Sequence, residues 1–356
     1  MRPKCAARVE RMRRAPEIAL ICSALCVLLV ACDARPTLDD ARREAALAEA
    51  LLKKAMNLGA QGQSTEANAQ AMSAQDRMTT ARDLYLSARA DRSTDATVLV
   101  EFAVLCERLR DYDLAGEAYL RAAEQLPEDP AGVTLWYSAA KNFVAAEGRY
   151  LTRAAESLDH AEKLMRGGAT GVSSTDIEIT RGDISWKNGA YELAAKRYAD
   201  ALAADPANLR AKMLSACSAV ALGNFAPAEK IMEELQSQGA LIGEGSAFDA
   251  RFREAYAAYR RMRPAIPNTA AAYRALAGIS IRAGFLDDGR TAVEHALTLD
   301  DRDVYLWNMA GSLAHRAGDI DRARAAFTRS LELEPNQPRT RDSLAQLSSV
   351  ESVQKP

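Results

Sequence analysis

The chain has 356 residues, 48 % of them hydrophobic and only 6 % aromatic, with 12 prolines and 19 glycines. Its abundant Ala, Leu, Arg and Glu cost least in a helix interior, and scarce runs of Val, Ile and Thr argue against sheet. Forty-six basic residues against 48 acidic ones leave a net charge of −2, a balance that gives no reason to expect nucleic acid as a partner.

Arg2, Lys4, Arg8, Arg11, Arg13 and Arg14 crowd the start, and an uncharged apolar run follows from Ile18 to Ala31. That run is shorter than the roughly 20 apolar residues of a spanning helix, so it reads as a secretory signal over 1–31. It closes on Leu29-Val30-Ala31-Cys32, which resembles the lipobox of bacterial lipoproteins; Cys22 and Cys26 lack the full pattern. The resemblance implies cleavage before Cys32 and a diacylglyceryl group on its sulfur. The protein would then be lipid-anchored in the cell membrane and face the periplasm or the outside. Acyl chains bind a bilayer at about 0.8 kcal/mol per buried methylene, so several on one cysteine make a lasting anchor. Asp33 is similar to the inner-membrane retention signal of enteric-type lipoproteins. The stretch from Met12 is already a complete signal, so Met1 and Met12 both stand as starts.

A lipidated N-terminus and leading helix occupy 32–61, with Ala and Leu on one face over 37–58. Two runs of helical units follow, at 62–242 and 270–337. Residues 62–95 keep a 34-residue phase through Ala81, Tyr85 and Ala88, although their first half is polar. Unit 96–129 has Ala103, Ala115, Tyr119, Ala122 and Pro127, with Arg110 where a turn glycine is expected. Unit 133–168 begins with Trp136, Ala140 and Phe143 and carries a long turn at Gly148. Units 175–208 and 209–242 repeat the frame with Gly182, Gly189 and Tyr198, then Ala216, Gly223 and Ala228. Residues 243–269 break the phase. Phe248, Phe252, Tyr256 and Tyr259 recur there at helical spacing, so a single extra helix, a joint between sub-arrays, is expected. The glycine-rich loop 166–171 is a second candidate joint. Units 270–303 and 304–337 restore the phase through Gly284 and Gly318, and 338–356 reads as a capping helix and tail.

In the last unit Trp307, Gly311, Gly318, Ala323, Phe327 and Pro335 fall in the order aromatic, small, turn, small, aromatic, proline. This resembles the tetratricopeptide repeat, although Ala310 and Ala314 stand where Leu and Tyr are usual. The resemblance implies an all-α, right-handed superhelical solenoid of antiparallel helical hairpins. Tyr119, Tyr198, Trp307 and Phe327 should lie buried between helices. Cys106 and Cys217 are far apart on apolar faces; the extracytoplasmic setting permits a disulfide, and two buried free thiols is the reading adopted.

Of three histidines, His160, His295 and His315, none pairs at metal-ligand spacing, and packing is the role expected of the first two. No nucleophile elbow, zincin helix or phosphate loop is present. No catalytic residue and no cofactor are therefore expected. In the family the first helix of each hairpin lines a concave groove. Here that surface would be basic at its end (Arg274, Arg282, Tyr305, Asn308, Arg316), apolar in the centre (Met213, Cys217, Val220) and acidic and aromatic upstream (Asp176, Asp183, Trp186). These features predict a tethered adaptor or scaffold for another envelope protein or peptide, assisting assembly of an envelope complex. A structural spacer and a regulatory subunit of an envelope enzyme are the alternatives.

Overall fold

The computed structural model describes residues 36–126, 129, 131–146, 148–238 and 247–354. Cys32, Asp33 and Pro127 lie outside the described residues. All regular structure among the described residues is helical, and none of these helices is long and apolar enough to cross a membrane. The chain divides into two compact units between Gly171 and Val172. The division falls in the expected glycine-rich loop, where Gly168 and Gly171 take φ of 98° and 112°.

The first unit opens with α1 (Leu38–Ala60) and α2 (Ser64–Ser87). Thr37 starts α1 with a capping box: its hydroxyl accepts from the Asp40 N–H, and the Asp40 carboxylate accepts from the Thr37 N–H. Ala41, Ala48 and Ala55 of α1 and Ala67, Ala74 and Ala81 of α2 are buried. Each row repeats every seven residues, the spacing that keeps one seam of small side chains facing a neighbouring helix. Residues 62–95 are thus not a hairpin of their own, as their phase suggests. Residues 64–87 hold neither glycine nor proline, so one helix runs through and pairs with the leading helix.

Two hairpins complete the unit: α3 (Ala96–Leu109) with α4 (Tyr112–Glu124), and α5 (Gly132–Ala146) with α6 (Leu151–Arg166). Asp95 caps α3 by accepting from the Thr97 N–H at 2.8 Å. Arg110 takes the left-handed conformation at φ 64°, the task the other turns give to glycine. His160 packs flat on Trp136, ring centroids 4.3 Å apart, as its expected role requires.

The second unit holds α7 (Ser174–Lys187), α8 (Tyr191–Ala204), α9 (Leu209–Ala221), α10 (Phe225–Ser237), the single helix α11 (Ala247–Met262), α12 (Ala270–Arg282), α13 (Leu286–Leu299), α14 (Val304–Arg316), α15 (Ile320–Leu333) and the closing α16 (Pro338–Gln354). Four hairpin turns pass through Gly189, Gly223, Gly284 and Gly318, all with φ between 74° and 85°. Ser173, Asn208, Thr269 and Asp303 cap the first helices of these hairpins. Within the last hairpin α14 and α15 come so close that a β-carbon on Gly311 would lie 2.6 Å from the Phe327 ring. The closing helix supplies Leu347 to the cluster of Ala323 and Phe327, covering the face that has no further hairpin. Tyr119, Tyr198 and Phe327 are buried, but Trp307 is only half-buried. Its ring borders an open cleft, because Ala310 and Ala314 beside it are too small to close the space. Cys106 and Cys217 are buried free thiols.

Candidate groove of the second unit

The extra helix decides which part of the expected groove is open. Its apolar row, Phe248, Phe252, Ala255 and Tyr256, joins Trp186, Cys217 and Val220 in one buried core. Arg251 reaches from α11 to the Asp183 carboxylate at 3.1 Å and the Tyr198 hydroxyl at 3.1 Å, with its guanidinium 4.0 Å above the Trp186 ring. Arg210 takes the other oxygen of Asp183 at 2.9 Å, and the Trp186 indole N–H donates to Glu254 at 2.9 Å. Burial pushes the Tyr198 hydroxyl well above its usual value, with Asp183 adding to the effect. Burial likewise raises the Cys217 thiol to about 12. Trp186, Asp183 and the apolar centre are therefore occupied by the chain itself, while Asp176 stays half-buried at the start of α7, bonded to Ser173 at 2.7 Å.

Downstream the surface is open. A groove of about 640 Å³ runs between α10, α12 and α14, and Arg274, Tyr305, Asn308 and Arg316 line it. Arg282 stands nearby, near enough for its charge to act on Glu229 in the groove wall. The five expected groove residues thus share one neighbourhood, but they are not equally free. Arg274 donates to Asp303 at 2.8 Å, and Asp303 in turn caps α14 through the N–H groups of Tyr305 and Leu306. Asn308 donates to Gln337 at 2.7 Å and accepts from the Thr340 hydroxyl at 3.1 Å, tying α14 to the start of α16. Tyr305 is 70 % exposed. Arg282 and Arg316, one period apart at the ends of α12 and α14, are exposed and make no ion pair among the described residues.

Two further groove residues, Glu229 and Glu233, sit on α10, a second helix. Sequence reasoning assigned only first helices to the groove. The extra helix alters that rule: α11 packs along α9, and α12 packs on α10. Glu229 is half-buried, and its carboxylate extends toward the backbone of Gly278, where a β-carbon would meet it at 3.3 Å. Burial raises the Glu229 carboxyl above the ordinary glutamate value and Glu233 adds to this, while Arg274 and Arg282 oppose it. The groove thus carries separate acidic and basic sides around an exposed aromatic ring, with Ile281, Met309 and Leu313 as its apolar floor.

A second cleft, of about 490 Å³, lies beside α11, α12 and α13 and gathers Tyr256, Tyr259, Arg260, Asp288 and His295. Four of them are engaged: Asp288 accepts from Arg260 at 3.0 Å and Tyr256 at 3.1 Å, and His295 meets Asn268 at 2.8 Å. Tyr273 packs on the His295 ring at 4.1 Å. Among the described residues no group of His, Cys, Asp and Glu is placed to hold a metal.

Residues 304–337 match the family model described as tetratricopeptide repeat. The matched repeat is the hairpin of α14 and α15, and it supplies Tyr305, Asn308 and Arg316 to the groove. No curated protein sequence matches the chain significantly. Among solved structures, a tetratricopeptide repeat protein from Parabacteroides merdae is 15 % identical over 85 % of this chain and 98 % of its own, with a TM-score of 0.35. PilW, described as a type IV pilus biogenesis factor, is 16 % identical over 72 % of this chain and 99 % of its own, at 0.32. Yeast Tom70 is 17 % identical over 80 % of this chain and 61 % of its own, at 0.32. Likeness at this level carries no functional information.

Proposed function

We propose that the chain is a membrane-tethered extracytoplasmic adaptor, which holds another envelope protein or a peptide from it in the groove of α10, α12 and α14. One observation carries this reading: the groove is open, its tyrosine is 70 % exposed with only the Arg274 guanidinium near its ring at 5.9 Å, and Glu229, Glu233 and Arg316 make no ion pair among the described residues. Exposed polar and aromatic groups converging on a concavity are what a recognition site needs. A segment with a cationic side chain facing Glu229 and Glu233 and an acidic one facing Arg282 and Arg316 complements it. The tether rests on Cys32 at the end of the apolar run and on the lipobox resemblance.

Affinity capture from envelope extract tests the adaptor, comparing the full chain with an Arg282→Glu, Arg316→Glu double variant. Arg274 is unsuited to this use, because removing it would leave the cap Asp303 without its cation. Exposed charge changes alter stability by roughly 0.5 kcal/mol or less each, so helicity and melting should be unchanged while the captured partner is lost. Equal recovery by both forms would remove the basic side from the binding site. Recovery of no specific protein by either would favour a spacer. Mass spectrometry of the N-terminal peptide tests the tether: an acylated peptide beginning at Cys32 is expected, and an unmodified one containing Ala31 would refute it.

A further inference from the structure

A cleft of about 300 Å³ opens between α13, α14 and α15, on the other side of Leu313, which it shares with the groove. Val293 and Leu297 form one wall, Trp307 a second, and Ala310, Ala314 and Ala326 the base. The chain contains its own comparison for this place. One 34-residue period before Ala310 stands Leu276, which is buried; one period before Ala314 stands Ser280, buried beneath the Tyr256 hydroxyl at 2.6 Å. The earlier register is itself the cleft of about 490 Å³, but Tyr256, Arg260, Asp288 and His295 give it polar walls; the later one, with alanines at 310 and 314, is lined mostly by apolar side chains. Apolar walls facing water in such a cleft favour an apolar occupant, because its binding removes that surface from solvent.

We propose that this cleft is a binding site for a neutral aromatic ligand of one or two rings. Its size is at the lower end of small-molecule sites, and its apolar walls with a few polar rim groups match them in kind. The Trp307 ring is fixed by its N–H, which donates to the Asp301 carbonyl at 2.7 Å, so it presents an apolar face at a set angle. The rim speaks against a charged ligand. Arg290 is paired with Asp287 at 2.6 Å and Arg322 with Asp319 at 3.3 Å, and Asp319 is also the cap of α15. Glu294, exposed at the same rim, would repel an anion.

Phenylnaphthylamine, an uncharged probe whose fluorescence rises in apolar sites, tests this on the full chain. The wild-type protein should bind it saturably, with energy transfer from tryptophan that falls in Trp307→Phe, where Trp136 and Trp186 remain as donors. Ala310→Leu introduces the larger side chain that Leu276 supplies one period earlier and should weaken binding by roughly tenfold or more, with melting at or above that of the wild type. Ala325→Glu places a charge at the mouth from an exposed position and should weaken binding without touching the core. Absence of saturable binding to the wild type would overturn the site. So would equal binding by Ala310→Leu and Ala325→Glu.

Discussion

Arg251 and Trp186 lie face to face, the guanidinium 4.0 Å above the indole, and this contact pins the extra helix over the first helices of the second unit. Both partners are largely removed from water, and the same guanidinium also serves Asp183, whose side chain is 12 % exposed. A cation over an indole in such a setting adds to the ion pair. Arg251→Ala leaves Asp183 with Arg210 and the Tyr198 hydroxyl but without its most buried cation, so the second unit should lose about 2–4 kcal/mol in urea unfolding. Arg251→Lys should recover little, since an ammonium cannot stack on the ring and bond both acceptors at once.

Gly311 and Gly278 both lie within first helices but should respond oppositely to alanine. At Gly311 the new β-carbon would meet the ring of Phe327, itself buried, at 2.6 Å. Gly311→Ala should therefore cost about 1–3 kcal/mol of stability through overpacking. At Gly278 the neighbour is the end of the Glu229 side chain at 3.3 Å, which can swing aside. Gly278→Ala should then be neutral or gain up to roughly 1 kcal/mol from helix propensity. Thermal melts of the two variants under one buffer decide the contrast.

The hairpins were legible because their boundaries are written locally. Gly189, Gly223, Gly284 and Gly318 mark left-handed turns, and Asp95, Asn208 and Asp303 mark helix starts. Even Arg110 could be named as the exception, and it adopts the conformation of the glycine it replaces. The phase across 62–95 misled because a seven-residue row of alanines serves a long helix as well as a hairpin. The groove was harder. Helical spacing identified Phe248, Phe252 and Tyr256 as packing residues, but no local signal says which surface they cover. They cover Trp186 and Cys217, and that choice admits Glu229 and Glu233 to the open groove.

Glu229 should make both stability and partner binding depend on pH. Its folded carboxyl titrates above the unfolded one, chiefly through burial. Between those two values the folded state holds more protons than the unfolded chain, so stability falls as pH rises through that window. Glu229→Gln should flatten that slope in the weakly acidic range and leave the neutral-pH protein no less stable. A cationic partner favours the ionised carboxylate, so capture should strengthen as pH rises through the same window. The variant should lose that dependence. Capture that weakens with rising pH, or a slope unchanged in Glu229→Gln, would refute the role given to this acid.

The two buried thiols should report the unfolding of the two units separately. Cys106 belongs to the first unit and Cys217 to the second, and burial raises each thiol to about 12. At mildly alkaline pH neither has an appreciable thiolate population in the folded protein, and neither has access to reagent. Alkylation by iodoacetamide therefore requires opening of the unit that holds the thiol. Samples pulsed with reagent across a urea series, then digested and weighed, give one transition for each cysteine peptide. Arg251→Ala destabilises only the packing around α11, so it should move the Cys217 transition to lower urea and leave that of Cys106 in place. Equal shifts of both would mean that the units unfold as one, and labelling of Cys217 without urea would contradict its burial beneath α11.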